Sequence, residues 1–173
     1  MHARPAGCAV QFRAVTRYHP LFRTTPAMNI AAYLPEIADR QPNALAVAIQ
    51  GARRDDGTYP YTELTARELD DESNRVARGL QQYGIGRGAR TVLMVTPSVE
   101  FFVLTFALFK AGAVPVMVDP GMGVRHLKTC LDEAAPGAFI GIPKAHAARV
   151  LLGWARSAKR LVTVGRRIFW GGA

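Results

Sequence analysis

The sequence predicts an α/β fold, a partial doubly wound and mainly parallel sheet with covering helices, and two observations carry that expectation. The first is the stretch from Thr91 to Pro120. Thr91 to Val95 is rich in β-branched side chains and too short for a buried helix, so it reads as a strand covered on both faces. Pro97 ends it. Ser98 can cap a helix that carries Val99, Phe102, Val103, Phe106 and Phe109 inward, and Gly112 sits where a left-handed C-terminal residue belongs. A second apolar run, Ala113 to Val118, follows at once, which completes a βαβ unit whose short connections force parallel strands. The second observation is that helical and strand patterns keep alternating as far as Val164.

Each remaining element follows from local chemistry. Residues 1–27 contain no Asp or Glu and show neither period, so they are expected to be a disordered or upstream-translated extension, with Met28 as the start of translation. Asn29 can cap a helix with Ile30, Leu34 and Ile37 inward, ending near Arg40 before Pro42. Ala44 to Ile49 reads as a strand, Gly51 to Thr58 as a polar turn, and Tyr59 to Leu64 as the return strand of a hairpin that Pro60 confines to an edge. Thr65 and Glu68 form a capping box for a helix with Leu69, Ser73, Val76, Ala77, Leu80 and Tyr83 on one stripe. Its opposite face, Asp70, Asp71, Glu72, Arg75 and Arg78, reads as solvated, and Gly84 stops it. Beyond the central unit, Val124 to Ala134 predicts a helix with Leu127, Leu131 and Ala134 inward. Pro136 precedes a buried strand, Ala138 to Ile142; a helix from Pro143 to about Ala155 and a strand from Leu161 to Val164 follow. The tail places Ile168, Phe169 and Trp170 where nothing is left to bury them, so residues 28–173 read as an incomplete domain with sheet edges open to association.

Charge and cysteine content narrow the function classes. The net charge of +9 sits at the ends: residues 1–27 and 144–173 carry four and seven cations and no acid, and the region between is slightly acidic. With no aromatic interleaving, zinc-finger spacing or base-reading helix, a nucleic-acid partner is not expected. Cys8 and Cys130 are too few for a disulfide framework, which points to a reducing, cytoplasmic setting. The apolar run Phe101 to Val118 is broken by Lys110, Gly112 and Pro115, so no transmembrane segment is expected.

Catalytic residue types are present without a catalytic arrangement. Gly84, Gly86 and Gly88 run from a helix into a strand, the reverse of a phosphate-cradling loop, and read as a cap and turn. His126 and Cys130 share a helix face but lack a third metal ligand. Lys128 and Thr129 echo a phosphate loop without its glycine spacing. Ser73, Ser98 and Ser157, the three serines, sit in no nucleophile elbow, and Asp119, Asp132 and Glu133 are not visibly paired. No catalytic, cofactor-binding or metal residue is therefore assigned from the sequence. A small self-contained Rossmann-like binding module is the alternative that these residues leave open.

The order of elements resembles the N-terminal portion of the adenylate-forming enzymes, the AMP-dependent synthetases and ligases. The matching pieces are Thr65 to Leu69, Ser73 to Leu80, the turn Tyr83 to Gly88, Val92 to Pro97, and Phe106 to Pro120 with its Lys110-Ala111-Gly112-Ala113-Val114-Pro115 centre. Within that family the stretches FALFKAGAVPVMVDPG, CLDEAAPGAFIGIP and LVTVGRRIFWGG are most similar to synthetases that close a β-hydroxy fatty acid into a β-lactone. The resemblance implies ATP- and magnesium-dependent activation of a fatty or β-hydroxy fatty acid through an acyl-adenylate. It also implies a phosphate loop and a C-terminal catalytic domain, whose residues have no counterpart among those quoted.

Overall fold

In the computed structural model, residues 29–119, 121 and 123–165 are described; the extension 1–27, Met28 and the Ile168–Trp170 tail lie outside the described residues. Asn29 accepts the Ala31 N–H at 3.0 Å and opens a single 3₁₀ turn, Ile30–Ala32, that runs into α1 (Tyr33–Arg40). β1 (Leu45–Gln50) and β2 (Tyr61–Thr65) pair antiparallel around the polar turn as a separate two-stranded sheet. The capping box forms as the sequence predicts: Thr65 Oγ1 accepts the Glu68 N–H at 3.2 Å, and the Glu68 carboxylate accepts the Thr65 N–H at 2.8 Å. The helix behind it is α2 (Ala66–Gln82).

The βαβ unit is β3 (Arg90–Met94), α3 (Val99–Ala111) and β4 (Val114–Val116). Ser98 caps α3, and Gly112 closes it in the left-handed region at φ 72°. α4 (Val124–Ala134), β5 (Ala138–Gly141), α5 (Pro143–Leu152) and β6 (Arg160–Thr163) complete a four-stranded parallel sheet in the order β4-β3-β5-β6. The pleat sorts side chains onto two covered faces. Leu93 and Ile140, opposite one another in the β3–β5 register, join Leu80, Leu104 and Leu108 under α2 and α3. Val92 and Phe139, one residue earlier, join Leu127, Leu131 and Trp154 under α4 and α5. Phe139 and Leu108 are fully buried, each contributing about 1.5–3 kcal/mol relative to exposure.

Three expectations about facing residues are corrected. Ile30 and Ile37 lie 66% and 46% exposed; Leu34 faces inward as expected, joined by Ala31 and Ala38. The opening 3₁₀ turn advances three residues per turn, which moves Ile30 out of phase with the α-helical stripe. On α3 the buried set is Val103, Leu104, Ala107, Leu108 and Ala111, whereas Val99, Phe102 and Phe106 are partly buried against Leu34, Val47 and Leu69. The third correction is Asp70, assigned to a solvated face but buried at the α2–α3 contact. Lys110 Nζ donates to Asp70 Oδ1 at 2.7 Å, to the Asp70 carbonyl at 3.0 Å and to Asn74 Oδ1 at 2.9 Å. Asn74 Nδ2 in turn donates to Asp70 Oδ2 at 2.9 Å, so both charges are hydrogen-bonded within the core.

Candidate functional site

The sheet order locates the site. From β3 the chain goes to β4 on one side, then crosses to β5 on the other, and this reversal parts the connections leaving the carboxyl ends of the strands. A cleft of about 680 Å³ lies there, walled by Leu93–Pro97 at the end of β3, Met117–Asp119 after β4, and Ile142, Ala145 and Ala148 at the start of α5. Phe101 and Trp154 complete walls that are predominantly apolar. Its polar groups are Thr96, Asp119 and Lys144. Asp119 Oδ1 accepts the Gly121 N–H at 2.7 Å, which bends the chain away from β4. Lys144 is exposed in the first turn of α5, whose N-cap Ile142 offers no side-chain acceptor. Among the described residues no acid pairs with Lys144.

Behind the cleft, His146 is fully buried, with Nε2 3.0 Å from the Val162 carbonyl on β6 and its ring edge-on to Phe139. Burial pushes its imidazole below the usual histidine range, aided by the nearby Arg149 guanidinium and opposed by the Val162 and Gly141 carbonyls. The ring joins α5 to β6. Trp154 Nε1 is buried without a hydrogen-bond partner among the described residues. These two groups were missed in the sequence because only the return of β6 beside β5 places a carbonyl next to His146.

The residue types singled out in the sequence serve structure. The Gly84–Gly88 turn lies at the opposite, amino end of the sheet, and most of its N–H groups already have partners. Gly84 donates to Gln81 at 2.9 Å, Ile85 to Leu80 at 2.7 Å, Gly88 to Gly112 at 2.8 Å and Ala89 to Gly86 at 3.0 Å. A phosphate would find few free amides there. Ser73 Oγ bonds back to the Leu69 carbonyl at 2.6 Å, Ser98 caps α3, and Ser157 Oγ donates to the Pro136 carbonyl at 2.8 Å. His126 is exposed and Cys130 half-buried on α4; among the described residues no three His, Cys, Asp or Glu side chains converge to hold a metal ion. Lys128 pairs with Asp132 along the same helix, and Glu133 is exposed. No described helix is long and apolar enough to cross a membrane.

Comparison with known proteins gives a consistent picture. The family model described as AMP-binding enzyme matches residues 34–166. An olefin β-lactone synthetase of Stenotrophomonas maltophilia is 60% identical over 146 residues, which is 83% of this chain and 26% of that protein. Its counterpart in Xanthomonas campestris is 56% identical over 151 residues, 87% of this chain and 27% of that protein. The chain therefore spans about a quarter of the length of these relatives. Among solved structures, a Mycobacterium tuberculosis fatty acyl CoA synthetase superposes with a TM-score of 0.62 at 20% identity, covering 79% of this chain and 26% of that one. Coronafacic acid ligase from Pectobacterium brasiliense gives 0.66 at 18% identity, over 82% of this chain and 26% of that one. At those identities the superpositions speak for the fold.

Proposed function

From a chain that belongs to the AMP-binding enzyme family, we infer the N-terminal α/β portion of an ATP-dependent, AMP-forming carboxylate ligase whose substrate is a β-hydroxy fatty acid and whose product is a β-lactone. The observation that carries this reading is the 60% identity to an olefin β-lactone synthetase over 83% of the chain. The parallel sheet with its carboxyl-end cleft and the superposition on acyl-activating ligases support the fold that the reading requires. A cytoplasmic location belongs to the same proposal.

Enzymes of this family use ATP and magnesium. The described residues do not fit a bound magnesium nucleotide: most amides of the amino-end turn are engaged, no three metal-ligating side chains converge among these residues, and the cleft walls are mainly apolar. What these residues contribute is scaffold. They set the strand spacing with which further chain would be continuous, and they hold an apolar cleft with one free cation, Lys144, at its mouth.

A chimera tests the reading. Replacing the matching 146 residues of the S. maltophilia synthetase by those of this chain should preserve β-lactone formation from a β-hydroxy fatty acid. A folded chimera that forms only a CoA thioester, or nothing, would refute it. The 173-residue chain incubated alone with ATP, magnesium and the same acids should release no pyrophosphate at an enzymatic rate.

A further inference from the structure

The outer end of α5 presents an apolar surface that neither the core nor the cleft uses. Leu151 is 83% exposed, with Val150 at 54% and Leu152 at 40%. The helix end is held in place rather than frayed. Gly153 closes it at φ 66°, the Trp154 N–H bonds to the Arg149 carbonyl at 3.0 Å, and Trp154 and Ala155 beyond the cap are buried. On the inner side Ala145 and His146 anchor the helix to the sheet.

The surroundings of this knob are cationic. Arg156 and Lys159 follow it on the exposed surface, whereas Arg160 donates to the Tyr83 carbonyl at 3.1 Å, and the sequence from Ala134 to Ala173 contains no Asp or Glu. The acids nearest before it in sequence, Asp132 and Glu133, end α4, and Asp132 is already paired with Lys128. A protein partner offers charges of both signs, whereas an anionic bilayer offers a uniformly negative surface over an apolar interior. An apolar knob within an acid-poor cationic surface matches the bilayer.

We propose that the Val150–Leu152 end of α5 docks the chain onto an anionic lipid surface, with the leucines entering the headgroup boundary and Arg156 and Lys159 meeting lipid phosphates. The inference is independent of the catalytic reading. Co-sedimentation of the 173-residue chain with vesicles of phosphatidylcholine, with and without phosphatidylglycerol, tests it. Partition should require phosphatidylglycerol, weaken with salt, and fall at least about tenfold in Leu151→Glu, whose side chain makes no core contact. Arg156→Glu/Lys159→Glu should abolish the preference for anionic vesicles. Circular dichroism should show both variants folded. Equal partition of wild type and folded Leu151→Glu, equal binding to neutral vesicles, or no binding to either would overturn it.

Discussion

The two ends of the parallel sheet solve the same problem in opposite ways. At the amino end, Gly84 to Ala89 and Gly112 close on one another through backbone hydrogen bonds, and Lys110 is held by Asp70 and Asn74. At the carboxyl end, the chain leaves β3, β4 and β5 in diverging directions, and the resulting cleft keeps Lys144 exposed. The glycine-rich, lysine-bearing end also borders a hollow of about 760 Å³, lined by Gln81, Arg87 and Lys110, but most of the amides facing it are spent on backbone carbonyls; the end without a glycine run holds the apolar cleft. Glycine content therefore says less about a ligand site than whether its N–H groups are engaged and whether the strand order reverses beside it.

The sharpest way to break this contrast is at the buried pair. Asp70→Ala leaves the Lys110 ammonium without its charge partner in the α2–α3 contact, and chemical denaturation should show a loss of about 3–5 kcal/mol. Asp70→Leu combined with Lys110→Met should recover most of it, since the removal of both charges leaves nothing buried and uncompensated. A recovery of nothing would show that the pair organises the contact by more than charge balance.

Gly112 comes next. Its φ of 72° lies in the left-handed region, so Gly112→Ala should cost about 1–2 kcal/mol even though an added Cβ would come no closer than 3.4 Å to Arg87. A loss well beyond that would mean that the amino-end turn rearranges as a unit.

Acid should act through His146. Its folded-state pKa lies below the ordinary histidine value because burial disfavours the charge, so the unfolded chain takes up its proton first as pH falls. The stability it contributes is full above the ordinary histidine range and is lost as pH drops through that range towards the folded value. Thermal melts between neutral and mildly acidic pH should show this decline, flattened in His146→Gln. The smallest effect belongs to Lys144→Met at the cleft mouth, which should change stability by less than about 0.5 kcal/mol, in contrast to any single change at Lys110.

Much of the fold was legible because its signals are local. The helix Val124–Ala134 has the bounds its flanking glycine and proline predict, and Thr65, Glu68, Ser98 and Gly112 form their caps as their residue types require. The parallel βαβ unit followed from two apolar runs joined by one helix. Facing was less legible. Ile30 turned outward because the helix begins as a 3₁₀ turn, Ile37 because Leu34 and Ala38 took the inward stripe of α1, and α3, apolar on nearly every side, left its buried stripe to be chosen by its neighbours. Asp70 read as solvated because its partner lies forty positions away.

By itself, the sequence determined the order of helices and strands, the caps at Thr65, Ser98 and Gly112, and a mainly parallel sheet, since caps, periods and connection lengths act between near neighbours. Only the tertiary structure decided that Asp70 is buried on Lys110, that His146 meets Val162, and that an apolar cleft lies where β3 and β5 part. Those features join segments distant along the chain, and their energies depend on dielectric, burial and strand order, which exist only once the segments have packed.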